Sequence, residues 1–400
     1  MTLNVLEKLA ATNPDCEIWW DSSPLIFPSW KTDTLAKAPE GKAAEWEEQL
    51  TRLMDHETIE AEGTMGFRGV TTNPPLSLQA IKLHPEMWTK HIKEVAAANP
   101  QMGVEEVYWT IYLELVRKGA EAIRPVYDKS GGKYGMLSGQ VDPRFVTDGA
   151  RMLAQGLTIA AQGENVMVKL PGSKEGYEVL EELTARGIST NNTTSFTVAQ
   201  YMRCMAAVTA GLQRARAAGV DLSKWRSVIT HMSSRLAQLG DWKKEADARG
   251  IALSIEEMRD GEEAVLKRAY HWGKDNNHPS KMLQCSMRVE KDERIGKIVS
   301  RHIQDFAGSD MVYTCPPSYI AQLMENEEAL GEFDPQAINR PANPDSVAKL
   351  MKLPSFRQAY EFDGMTPDQF SQYGSFQATA TEFAAATRQT VDFVRMVMEG

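Results

Sequence analysis

Cysteine is scarce and unpaired: Cys16, Cys204, Cys285 and Cys315 are scattered over 400 residues with no CxxC pair. That spacing offers neither a zinc site nor a disulfide framework. Three of the four fall in apolar runs and read as small core residues, and such usage fits a reducing compartment. The seven histidines (His56, His84, His91, His231, His271, His278, His302) show no HExxH or similar ligand spacing, so no metal is expected. No apolar stretch approaches the roughly 18 to 20 residues that span a bilayer. The start, Met1-Thr2-Leu3-Asn4-Val5-Leu6-Glu7-Lys8, lacks the basic beginning and hydrophobic core of a signal peptide, so no membrane partner and a cytoplasmic location are expected. A basic block is missing too: 44 Lys and Arg are interleaved with 54 Asp and Glu, for a formal charge of −10. Nucleic acid is therefore not an expected partner, and a small anionic ligand must have its charge met locally.

What is present is an alternating pattern. Strand-like runs lie at 16–22 (CEIWWDS), 66–73 (GFRGVTTN), 134–142 (YGMLSGQVD), 165–172 (NVMVKLPG), 188–195 (ISTNNTTS), 226–233 (RSVITHMS), 281–288 (KMLQCSMR) and 311–317 (MVYTCPP). Helical patterns at 104–123, 143–162, 175–186, 197–218, 289–306 and 318–330 fall between them. Strand and helix alternating in this way specify a closed parallel (β/α)8 barrel of the TIM type, a single domain over residues 1–400. Three stretches exceed what a barrel needs: insertions at about 23–65 and 237–280, and a C-terminal extension at about 332–400. The second insertion is dense in charge and reads as a solvated helical excursion. The extension carries a Pro-rich segment at 339–344 and ends in a helix over about 367–398, packed across the barrel or on a neighbouring subunit. Phe27, Trp30 and Trp46 in the first insertion suit either the barrel mouth or an oligomer contact, and the chain is expected to be a monomer or a homo-oligomer.

Lys169 is out of place in the apolar run Asn165-Val166-Met167-Val168-Lys169-Leu170-Pro171. Desolvation lowers an amine's pKa and leaves more of it neutral, able to attack a carbonyl. The plainer reading is a lysine at a strand end that snorkels to solvent. The other strands favour the first. Side chains alternate along a strand, so one rim should receive Asp21; Thr71 and Asn73; Ser138, Gln140 and Asp142; Lys169; Asn191, Thr193 and Ser195; Thr230 and Met232; and Ser286 and Arg288. A packed core would not tolerate so many polar groups, whereas a wet pocket for a polyhydroxylated ligand requires them.

Gly69-Val70-Thr71-Thr72-Asn73-Pro74-Pro75-Leu76 resembles the transaldolase motif GATTNPSL. Val168-Lys169-Leu170-Pro171-Gly172-Ser173-Lys174-Glu175-Gly176, with Leu180-Glu181-Glu182-Leu183 and Gly187-Ile188-Ser189-Thr190-Asn191-Asn192-Thr193, is similar to that family's Schiff-base strand, its helix and the next strand. The likeness runs on through Ser233-Ser234-Arg235-Leu236 and Cys285-Ser286-Met287-Arg288 to Gly308-Ser309-Asp310 and Cys315-Pro316-Pro317.

The resemblance implies that Lys169 forms an imine with a ketose phosphate without any cofactor, and that Asp21 moves the proton of the hydroxyl that departs as an aldehyde. It implies that Asn73 and Asn191 hold donor hydroxyls and that Thr193 positions a water. Arg235 and Arg288 fall on the family's phosphate-binding arginines, with Thr230 and Ser286 beside them and Thr71 at the rim. Lys174, the competing amine, lies at the start of a helix and reads as solvated. The expected activity is transfer of a dihydroxyacetone unit between sugar phosphates of the pentose phosphate type. Two departures stand out. Gln140 occupies the position of a family glutamate and cannot exchange protons, which opens the alternative of a specialised aldolase. Met232 stands where the related fructose 6-phosphate aldolases carry a tyrosine, and strand parity turns His231 away from the pocket. A non-catalytic sugar-phosphate-binding barrel is the third reading, disfavoured because binding alone does not require a buried amine beside a carboxylate.

Overall fold

The computed structural model describes residues 2–55 and 66–400. Short runs of buried residues form eight barrel strands: β1 (Glu17–Asp21), β2 (Gly69–Thr71), β3 (Met136–Gln140), β4 (Val166–Pro171), β5 (Thr190–Ser195), β6 (Ser227–Met232), β7 (Lys281–Cys285) and β8 (Val312–Cys315). Each lies parallel to its sequence neighbours, and β8 closes on β1 with Glu17 opposite Val312 and Trp19 opposite Thr314. The expected TIM barrel is the observed fold.

The N-terminal end of the barrel is sealed from within. Glu17 Oε1 accepts from Arg226 Nη2 at 2.6 Å and Lys281 Nζ at 2.7 Å, and its Oε2 accepts from Trp19 Nε1 at 2.9 Å. Trp19 fits inside because residue 69 is glycine: a Cβ there would come within 2.5 Å of the indole. Burial pushes the Glu17 carboxyl up, but the Arg226 and Lys281 charges more than offset it and hold it at about 2.

Alternation fails at three strand ends, and each failure has a backbone cause. In β5 the register shifts between Asn192 and Ser195, with Thr194 at φ 52°. The extra residue reverses parity, so Ser195 leaves the pocket face and bonds Asn192 Oδ1 and the Tyr177 hydroxyl on the helix Lys174–Ala185. Asp142 likewise leaves the rim set: β3 ends at Gln140, and Asp142 caps the turn Pro143–Phe145 and pairs with Arg144 at 2.6 Å. In β7, Cys285 is in register with Met232 and Leu283 with Thr230, so those residues face inward. The strand stops there, and Ser286 turns the chain at φ 57°. Ser286 and Arg288 reach the rim through that turn rather than through strand parity.

Two larger segments also differ from expectation. Residues 289–306 form an antiparallel hairpin, Glu290–Asp292 with Lys297–Val299, before a short helix Arg301–Gln304. Gly296, at φ 67°, makes the turn that breaks the expected helix. The charged 237–280 insertion is not a solvated excursion. Its helix Ile255–Asp275 buries Asp260, Glu262, Glu263 and Lys267, each matched by a partner: Arg301 to Asp260 at 2.7 Å, Arg259 to Glu262 at 2.9 Å, Lys267 to Glu263 at 2.8 Å.

The first insertion supplies helices Phe27–Leu35 and Ala43–Leu53, and its last stretch, 56–65, lies outside the described residues. Phe27 and Trp46 are buried, and Phe27 and Trp30 pack on Trp20 with ring centroids 5.2 and 5.0 Å away. Trp20 alternates with Asp21, so this cluster sits on the barrel's outer face and not at its mouth. The C-terminal helix Gly374–Glu399 packs on helices Pro74–Leu83, Pro85–Ala98 and Val104–Lys129. No helix among the described residues is long and apolar enough to cross a membrane.

Candidate active site

Lys169 is inward-facing on β4 and only 4% exposed. Its Nζ donates to the Thr72 carbonyl at 3.1 Å, a thin set of partners for a group with three donors. Burial lowers its pKa, and the charge of Asp21 opposes that shift. Asp21, at the end of β1, is raised by the same burial and held back by Lys169 and by a hydrogen bond from Thr71 Oγ1 at 2.7 Å. Both groups are thus displaced toward their neutral forms. A neutral amine and a protonated carboxyl differ from the ion pair only by the place of one proton, which is the arrangement carbonyl addition needs. Thr71 also meets Thr314 Oγ1 at 2.5 Å, so in this structure its hydroxyl orients Asp21.

Next to this pair, β3, β5 and β6 build a polar ladder. Asn191 is opposite Lys169 in register, and its Nδ2 donates to Ser138 Oγ at 2.9 Å while its Oδ1 accepts from Thr230 Oγ1 at 2.7 Å. Its amide orientation is therefore fixed. Gln140 is also opposite Lys169, with its backbone bracketed by the Tyr112 hydroxyl. Gln140 Oε1 and Thr193 Oγ1 are buried with no partner among the described residues. Buried polar atoms are rarely left so, and at this rim they suit a ligand hydroxyl or a reacting water. Asn73 caps the helix Pro74–Leu83 by accepting from Leu76 N at 2.9 Å, which leaves its Nδ2 for other work.

An open cavity of about 480 Å³ lies at the C-terminal mouth, lined by Arg235, Gln238, Ser286, Arg288, Tyr319 and Glu382 among others. Arg235 stands on the short helix Ser233–Gln238 that begins where β6 ends, and Arg288 on the turn after β7. Arg288 donates to Gln238 Oε1. Its backbone N–H donates to His302 Nδ1 at 3.2 Å and its carbonyl accepts from Ser300 Oγ at 2.7 Å. Lys169 and Asp21 do not line the cavity; Lys169 is buried and Asp21 partly buried, both within reach of Arg235's field. Lys174 pairs with Asp368 at 2.8 Å and is half-exposed, as a solvated amine should be.

Three residues of this region escaped the sequence. Cys285 points inward beside the pair, its thiol pushed up to about 11 by burial and by Asp21. Thr314 belongs to the Asp21 hydrogen-bond chain. Glu382 reaches Arg235 from the C-terminal helix. A threonine on a barrel strand gives no cue when five of the eight strands carry serine or threonine, and a single carboxylate on an amphipathic helix gives less. His231 is outward-facing as expected, bonded to the Tyr201 hydroxyl, and burial holds its ring down to about 3. Among the described residues no three His, Cys, Asp or Glu side chains are grouped to hold a metal ion.

The sequence model of the Transaldolase/Fructose-6-phosphate aldolase family matches residues 53–378. The chain belongs to this family. Transaldolase 1 of Streptomyces coelicolor is 34% identical over 216 residues, 53% of this chain and 54% of the relative. Transaldolase 1 of Streptomyces avermitilis is 36% identical over 170 residues, 42% and 44% of the two chains, and the transaldolase of Thermobifida fusca 30% over 227 residues, 56% and 59%. The chain spans about half the length of these curated relatives. Within the family match lie all the candidate residues except Asp21, whose place rests on its geometry beside Lys169; Glu382 lies beyond it.

Proposed function

We propose that this family member is a transaldolase, moving a dihydroxyacetone unit from sedoheptulose 7-phosphate or fructose 6-phosphate to an aldose phosphate. Lys169 Nζ adds to the C2 carbonyl and loses water to give an imine. Asp21 takes the proton of the C4 hydroxyl as the C3–C4 bond breaks, the aldose phosphate leaves, and the electron pair settles on the imine as an enamine. The acceptor's aldehyde carbon then bonds C3, its oxygen recovers a proton from Asp21, and hydrolysis frees Lys169. Asn191, locked by Ser138 and Thr230, orients the donor hydroxyls, and Arg235 and Arg288 hold the phosphate. The observation that carries this reading is Lys169, buried and facing into the barrel, with the Thr71-held carboxylate of Asp21 near enough for each charge to act on the other.

Gln140 favours a second reading, an aldolase that releases the three-carbon unit. Its unpartnered Oε1 accepts a hydrogen bond from water but exchanges no proton with it. Transfer requires the enamine to outlast departure of the first product without being protonated. The test is a product assay with fructose 6-phosphate, with and without erythrose 4-phosphate. A transaldolase gives sedoheptulose 7-phosphate and little free dihydroxyacetone, and Gln140→Glu raises the transfer rate if a proton-handling water limits it. Free dihydroxyacetone as the main product with acceptor present establishes the aldolase reading instead.

A further inference from the structure

Glu382 is the one carboxylate in contact with an arginine of the anion cavity, among the described residues, that comes from outside the barrel strands and their connecting turns. It lies on the C-terminal helix, 147 positions from Arg235, and grips the guanidinium end-on: Nη1 donates to Oε2 at 2.6 Å and Nη2 to Oε1 at 3.0 Å. The face of Arg235 rests on the Phe383 ring, 5.6 Å from its centroid, so the cation is held in place from two sides of one helix turn. A carboxylate on this fork uses the geometry a phosphate oxygen pair would use. Arg288, by contrast, donates to a neutral amide, Gln238, and no ion pair involving it is found among the described residues.

We propose that Glu382 sets the affinity and specificity of the cavity for phosphate: it occupies Arg235 as an internal anion in the free protein and must release that fork for a phosphate ester to bind. This rests on the cavity being the phosphate site of the proposed function. Charge supports displacement over co-occupancy. Arg235 and Arg288 together balance a phosphate dianion, and a third negative centre left on the fork would repel it. The carboxylate has somewhere to go, since its side chain is about half exposed (51%). Its release also loosens one tether of the C-terminal helix at the mouth, so a phosphorylated substrate and an unphosphorylated one meet different sites.

The experiment titrates inorganic phosphate calorimetrically into the wild type, Glu382→Gln, Glu382→Ala and Arg288→Ala, with KM for fructose 6-phosphate and for free dihydroxyacetone measured alongside. The expected result is phosphate binding tightened by roughly twofold to fivefold in both Glu382 variants, the range for loss of a partly exposed pair. KM for fructose 6-phosphate should fall in parallel and KM for dihydroxyacetone stay unchanged. Phosphate binding unchanged or weaker in both Glu382 variants, while Arg288→Ala abolishes it, overturns the role of Glu382 and leaves the phosphate site standing. Phosphate binding indifferent to Arg288→Ala overturns the phosphate site and this proposal with it.

Discussion

At the scale of single residues, two buried ionisable groups carry opposite consequences. Asp21 opposes the burial-driven fall of the Lys169 pKa, so Asp21→Asn should let it fall further. The limb of adduct formation that rises with pH as Lys169 loses its proton should then move to lower pH, even as turnover drops. Trapping rates followed from pH 5 to 10 check this; an unmoved or upward-shifted limb would show that the two groups do not interact. Glu17 behaves the other way. Its folded value of about 2 lies below the ordinary glutamate value of 4.5, so its stabilisation is complete above about pH 4.5 and is lost as pH falls toward 2. The difference corresponds to about 3 kcal/mol. Denaturant unfolding of the wild type and Glu17→Gln at pH 7 and pH 2.5 should show the wild-type advantage at pH 7 shrinking in acid; a constant gap would mean that Glu17 is not charged at neutral pH.

At the scale of elements, the strands were legible because alternation and burial write the same pattern, and Lys169 was legible because it breaks that pattern. Ser195, Asp142 and the 286–288 turn were not, since a bulge, an early strand end or a left-handed residue breaks parity without changing composition. The helix Ile255–Asp275 shows a deeper limit: its charges look like a solvated face until the partners arrive from distant segments. Glu262 on that helix accepts from Ala237 N at 3.2 Å, next to the Arg235 turn, and faces His302 Nε2 at 3.5 Å, while His302 accepts from Arg288 N. One carboxylate therefore braces both arginine-bearing turns from behind. Glu262→Gln keeps the shape and removes the charge, and should lower the unfolding midpoint by several degrees, since hydrogen bonds to charged groups contribute about 1.5–3 kcal/mol. It should also raise KM for fructose 6-phosphate several-fold while leaving KM for free dihydroxyacetone alone. Equal changes for both donors would make Glu262 a general support and not a brace of the anion site.

At the scale of the whole molecule, the barrel separates stability from chemistry along its axis. The N-terminal end is plugged by Trp19 and the Glu17 cluster, and the C-terminal end gathers Lys169, Asp21, Asn191 and the arginine cavity. The barrel and most of its rim could be derived from residue order alone, because most strands bring their own polar residue to one end. The contribution of the C-terminal helix could not: contact between Glu382 and Arg235 depends on how residues 332–373 route the chain back across the mouth. The central claim is that Lys169 is the nucleophile, and borohydride trapping with fructose 6-phosphate, read by intact mass and peptide mapping, tests it most directly. A reduced three-carbon adduct on Lys169, absent in Lys169→Ala, is the predicted result. An unmodified Lys169 with both fructose 6-phosphate and sedoheptulose 7-phosphate, or an adduct on Lys174 instead, would contradict it.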